Sequence, residues 1–168
     1  MPATAAAPAA EPDGEALAAR YAHYRVDGVD YIYHDLPGNH IRRLQQSVAF
    51  HLAREIEQRG GDLTPVQYSV MAGICTHPGI EQGALADLIQ YDRATVGGVV
   101  DRLEAKGLVS RSLSPRDKRV RLLKVCAGGK RLLRNLAPGI LVAQERVLQP
   151  LDACEREQFI RLLAKLMK

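Results

Sequence analysis

No stretch of this 168-residue chain approaches the ~20 consecutive apolar residues of a membrane-spanning helix, so no membrane partner is expected. The opening MPATAAAPAAEPDGEALAAR lacks a basic start and a leucine-rich centre. It does not read as a secretory leader, and a cytoplasmic home is expected. Cysteine is scarce. Cys75, Cys126 and Cys154 are odd in number and far apart, which fits neither a disulfide framework nor a zinc Cys-x-x-Cys pattern, so reduced thiols are expected. His23, His34, His40, His51 and His77 never pair at the compact spacing of a metal motif. Enzyme signatures are missing too: there is no convincing nucleophile–base pair, paired-carboxylate site or phosphate-cradling loop. GGVVDR and AGGKR lack the Walker spacing and a preceding buried strand, so helix packing and a helix boundary explain their glycines. No enzymatic activity and no cofactor are implied.

What is present is a chain with 46% hydrophobic residues, enough to bury a core in one compact domain with an extension. Its net charge is only +4, but Lys106 to Lys124 holds seven Lys or Arg against the single acid Asp117. The clustering, rather than the total, points to an anionic partner. Residues 1–35 are the reverse, with six acids and two arginines. The Ala- and Pro-rich residues 1–14 read as a flexible tail, and residues 15–24 as a short helix. Tyr21, Tyr24, Tyr31 and Tyr33 suit either packing at a subunit interface or the aromatic walls of a ligand cavity.

Helical periodicity predicts a long helix from residue 36 or 39 to about 59, with Ile41, Leu44, Val48, Leu52 and Ile56 as its buried stripe and Gly60-Gly61 as its stop. Thr64, followed by Pro65, caps a second helix that runs to His77-Pro78-Gly79. IEQGALADLIQ makes a short helix. Only Gln90 and Tyr91 separate it from another helix that starts at Asp92, a preferred N-cap. In this last helix Val96, Val99, Val100 and Leu103 form the apolar face, and Gly107 ends it. Short helix, tight turn and longer helix make a helix-turn-helix. LVSRSL and RVRLLK alternate as strands around the turn residues SPRD, a hairpin with a basic tip. Beyond it, the apolar pattern of KRLLRNLAPGILVAQERVLQPL predicts a helix kinked or broken at Pro138-Gly139. A final helix from 152 to 166 presents Phe159, Leu162, Leu163 and Leu166 on one face. The only obvious partner for the C-terminal helices within the chain is the long helix, so two chains burying these surfaces against each other, a homodimer, are expected.

Taken together, LTPVQYSVMAGI, GALADLIQYDRATVGGVVDRLEAKGLVSR and SPRDKRVRLLKV, in this order, resemble the MarR family of winged-helix transcriptional regulators over residues 36–167. The expected fold class is mainly α with a small β-hairpin wing. Residues 1–35 would be an extension, 36–62 and 127–168 dimerisation helices, and 63–126 the winged helix-turn-helix domain. Two departures from the family pattern stand out: Val125 and Cys126 replace the usual Leu-Thr before the next helix, and Ser114 stands where an acid is common.

The resemblance implies that the Asp92 helix enters the major groove of double-stranded DNA and that the wing reaches the minor groove. Arg93 and Thr95 are then candidate base contacts. Gly97 and Gly98 would allow close approach to DNA or, alternatively, close packing against the neighbouring helix. Asp117 and Arg119 match the family's Asp-x-Arg wing motif, in which the acid orients the arginine. Arg111, Arg116, Lys118 and Arg121 are assigned to phosphates. The resemblance further implies release by a small aromatic carboxylate or its coenzyme A thioester. Candidate ligand residues are Tyr33, His40 and Arg43, with Met71, Ile74 and Cys75 as apolar walls, although His40 and Arg43 also fit a solvated or interface ion pair. A thiol- or metal-sensing regulator of the same fold, and an architectural DNA binder without an effector, are the alternatives.

Overall fold

The computed structural model describes residues 36–115 and 117–167, together with the backbone of 25–26 and 29–30. It contains two compact units, Met1–Gln46 and Ser47–Lys168. In the first unit, β1 (Arg25–Val26) pairs antiparallel with β2 (Val29–Asp30), with Arg25 opposite Asp30. The helix α1 (Pro37–Gln58) begins there, its proline at the first helical position, where no backbone N–H is needed. This agrees with the predicted long helix.

In the second unit, Leu52 and Ile56 bury the distal part of α1, and the chain leaves the helix at Gly60. A capping box opens α2 (Pro65–Thr76): the Gln67 amide donates to Thr64 Oγ1 at 3.3 Å, and the Thr64 amide donates to Gln67 Oε1 at 2.9 Å. The short strand β3 (Ile80–Glu81) leads directly into α3 (Gln82–Ile89). Gln90 then turns the chain in the left-handed region, at φ 55°, into α4 (Arg93–Ala105). Gly107, at φ 67°, ends α4 where a side chain would be strained. The hairpin of β4 (Val109–Leu113) and β5 (Arg121–Val125) follows, and β3 adds to the other edge of β5. Arg111 lies opposite Leu123, and Ile80 also pairs with Leu123.

Alternation along the strands and 3.6-residue periodicity along the helices converge on one core. Val70, Met71 and Ile74 of α2, Leu85 and Ala86 of α3, and Val96, Val99, Val100 and Leu103 of α4 are buried with Val109, Leu123 and Val125 of the sheet. Apart from Ala86, each such side chain contributes about 1.5–3 kcal/mol of burial. That is enough to seat a short helix such as α3, which would not persist alone.

Two helices complete the unit, α5 (Ala127–Leu148) and α6 (Ala153–Leu166). Cys126 stands at the N-cap of α5 and makes no side-chain cap bond, in keeping with the missing hydroxyl. Of the kink or break expected at Pro138-Gly139, the break is absent: α5 runs through both residues. Packing accounts for this. Leu136 and Ala143 are buried on either side of the proline, and Arg146 donates to Glu55 of α1 at 2.6 Å. At Gly139 an added Cβ would press on the side-chain ends of Arg59 and Glu55, so glycine leaves room for these two side chains against α5. These contacts outweigh the one backbone hydrogen bond that proline removes. The capping box of Asp152 and Glu155 opens α6, yet α6 has no buried residue within the chain. Leu162 and Leu166 of α6, Leu141 of α5 and Phe50 of α1 are all exposed, Leu166 by 76%. Among the described residues no helix is long and apolar enough to cross a membrane.

Candidate nucleic-acid interface

α4 buries its valine and leucine face and turns its first residues outward. Asp92 caps the helix, with its Oδ1 accepting from the Thr95 amide at 2.8 Å. Hydrogen bonds from the Thr95 side chain and amide hold the Asp92 carboxyl below its ordinary range. Arg93 and Thr95 are exposed, and Arg93 is only loosely paired with Asp87, at 3.6 Å between two solvated side chains. Within the chain, packing does not demand the two glycines. A Cβ at Gly98 would meet nothing within 4 Å, and one at Gly97 would make ordinary contact with the Gln82 side chain at 3.4 Å. Of the two explanations for this pair, intrachain helix packing therefore has no support.

Arg111 departs from the phosphate role expected of it. Its side chain is only 15% exposed, and its Nη1 donates to Asp101 Oδ1 at 2.5 Å and to Glu104 Oε2 at 2.9 Å. Nε donates to Gln82 Oε1, Nη2 donates to the Gly97 carbonyl, and the Arg111 amide donates to Glu104 Oε1. A planar, forked guanidinium suits this many-sided bonding. The result is a clamp between β4, α3 and α4, not a cation presented to solvent. The register that puts Arg111 beside two acids of α4 is tertiary, and nothing local in the sequence announces it.

The tip of the wing is different. Its loop is closed by bonds from the Ser114 amide to the Val120 carbonyl and from the Val120 amide to the Asp117 carbonyl. The Arg119 amide donates to Asp117 Oδ1 at 2.9 Å. Asp117 thus shapes the main chain that carries Arg119, rather than gripping its guanidinium. Lys118, Arg119 and Arg121 are exposed, with no acid in ion-pair distance among the described residues. Arg116 lies outside the described residues.

A cavity of about 550 Å³ lies between α2, β5 and α5. Ile74, Cys75 and Tyr68 line it from α2, Lys124 from β5, and Lys130 and Arg134 from α5. Ile74 and Cys75 were expected as ligand walls. Met71 was too, but it points into the core and does not line the cavity. Cys75 is exposed. Burial raises the Tyr68 phenol above its ordinary pKa. His40 and Arg43 stand exposed on the first unit's part of α1, where Arg42 is bonded to Asn39 and Gln46; Tyr33 lies outside the described residues. The sequence reading missed Tyr68, Lys124, Lys130 and Arg134. The available signals were the i,i+4 spacing of Lys130 and Arg134 and the seven-residue spacing of Tyr68 and Cys75, each of which shares a helical face.

A helix-turn-helix whose second helix shows a capped, exposed N-terminal face, followed by a hairpin with exposed cations at its tip, defines a winged helix-turn-helix DNA-binding protein. Comparison with known proteins narrows the class. The MarR family model matches residues 63–120. Transcriptional regulator HosA of Escherichia coli O111:H- is 36% identical over 127 residues, covering 71% of this chain and 94% of HosA. The PcaV transcriptional regulator of Streptomyces coelicolor, in complex with its natural ligand, superposes with a TM-score of 0.71 at 29% identity, over 86% of this chain and 97% of PcaV. A mutant MarR of E. coli complexed with operator DNA gives 0.76 at 25% identity, over 83% of this chain and all of that one. The chain belongs to the MarR family of DNA-binding transcriptional regulators, and its business is transcription rather than catalysis.

Proposed function

We propose that this regulator is a cytoplasmic repressor that binds an inverted-repeat operator as a homodimer and lets go when a small aromatic acid, or its coenzyme A thioester, occupies the cavity beside β5. The observation that carries this reading is that β5 serves both places. Arg121 opens the strand toward the wing tip, and Lys124 near its other end lines the cavity. A ligand drawn to Lys124 therefore acts on the element that carries the wing. Release requires only that it bind better to a geometry unfit for DNA.

On the DNA, Arg93 and Thr95 reach base edges in the major groove, with Gly97 and Gly98 allowing close approach, and Arg119 enters the minor groove. Lys118 and Arg121 hold phosphates. The exposed apolar side chains of α5 and α6, with Phe50 of α1, support dimerisation, which sets half-sites about one helical turn, ~10 bp, apart. The exposed His40 and Arg43 of the first unit form a second candidate anion site, Arg43 through its forked guanidinium.

Footprinting the full-length protein on its upstream region, with benzoate, hydroxylated benzoates and their thioesters titrated in, tests the reading. Protection of one short inverted repeat that is lost on titration is the expected result. Uniform coating of the DNA would point to an architectural protein instead. The exposure of Cys75 at the cavity supports one competitor, a thiol-sensing regulator. Operator release by peroxide in the wild type but not in Cys75→Ser would favour it.

A further inference from the structure

The cavity's charge says more about its occupant than its apolar walls do. Three exposed cations line it, Lys124, Lys130 and Arg134, and none of the described residues that line it is an acid. Among the described residues none of the three has an ion-pair partner, in contrast to Arg111, Arg146 and Arg156 elsewhere in the unit. Lys130 and Arg134 are four apart on α5 and so stack on one face, where like charges repel. The helix they sit on begins without a side-chain cap and with no acid in its first turn, so its positive end adds to the same field. The Thr76 hydroxyl at the cavity is already committed to the Ala72 and Gly73 carbonyls. The Tyr68 phenol at the cavity is a further donor.

We infer that the effector joins an apolar ring to at least two negative charges, one met by Lys130 and Arg134 of α5 and another by Lys124 of β5. This rests on the reading of the cavity as the effector site and sharpens it, because a single carboxylate leaves most of the positive field uncompensated. Binding such a ligand ties β5 to α5 across the cavity. An aromatic dicarboxylate carries both charges on the ring itself, whereas an aromatic coenzyme A thioester is neutral at the ring and carbonyl and supplies its charges from the phosphates; the two are separated by experiment.

The test is calorimetric titration of the full-length protein with benzoate, terephthalate, benzoyl-coenzyme A and free coenzyme A, followed by the same ligands on Lys130→Met, Arg134→Met and Lys124→Met. Thermal melts confirm that each variant is folded. Terephthalate or benzoyl-coenzyme A is expected to bind about tenfold or more tighter than benzoate, with the advantage shrinking in each variant and at high salt. Preference for terephthalate assigns a dicarboxylate. Preference for the thioester, with weak binding of free coenzyme A, assigns the thioester. If benzoate binds as tightly as either and still releases operator, the charge inference falls and the aromatic-acid reading stands. An advantage that survives intact in all three variants also overturns the inference. If none of the four binds, the effector reading itself falls, and this inference with it.

Discussion

At the base of the β4–β5 hairpin, Arg111 is held by Asp101 and Glu104 of α4, while at the tip, eight residues further on, Arg119 has only its amide held, by Asp117. Both belong to the run of positive charge from Lys106 to Lys124, and counted by charge they are alike. Their surroundings separate them. A guanidinium already bonded to two carboxylates and a carbonyl has little left for a phosphate, whereas an exposed one on a loop shaped by its own backbone is available. Lys106 sides with the base, since it is bonded to Asp62 at 2.8 Å. The positive field of the wing therefore comes from fewer residues than the sequence count suggests, and apart from Lys124, which lines the cavity, they sit at its tip.

The contrast can be broken by removing each arginine in turn. Arg119→Ala is expected to lower operator affinity by on the order of tenfold or more, with the melting temperature unchanged, as read by fluorescence anisotropy and thermal unfolding. Arg111→Ala should do the opposite in kind. It loses about 1 kcal/mol of stability in urea titrations, a modest figure because Asp101 and Glu104 are partly solvated once freed, and its DNA defect follows from a wing no longer clamped to α4. If Arg111→Ala is as stable as wild type, the clamp is not structural and the contrast collapses.

Gly98→Ala sharpens the same distinction on α4. With open space around the new Cβ, the helix should gain up to about 1 kcal/mol from propensity while operator affinity falls. A variant that is both more stable and fully active would mean that DNA does not come close at this point. The smallest effect concerns Asp92. Its carboxyl is held below its unfolded value, so the stabilisation it gives α4 is present above the unfolded pKa and is lost as pH falls through the folded one. Asp92→Asn should keep a capping oxygen and flatten that acid limb in pH-dependent melts.

Local chemistry made much of the fold legible in advance. Thr64, Asp92 and Asp152 each announce a helix start through a side chain that bonds a backbone amide three residues on, and Gly107 announces an end. What depends on tertiary register was not legible. Met71 and Cys75 are one helical turn apart in α2, yet one is in the core and the other at the cavity, a choice made by what packs on the helix. Pro138 looks like a helix breaker until Glu55, Arg59 and Arg146 are seen to hold α5 on both sides of it. The cavity cations come from β5 and α5, and nothing in either segment says that they converge.

The salt dependence of operator binding tests the central claim most directly, because it counts released phosphate counterions. Measured from low to moderate salt, the slope of log affinity against log salt should shrink in magnitude by about one for Lys118→Ala and for Arg121→Ala, and stay at the wild-type value for Arg111→Ala. A slope that shrinks for Arg111→Ala, and stays fixed for the folded Lys118 and Arg121 variants, would contradict the division between base and tip.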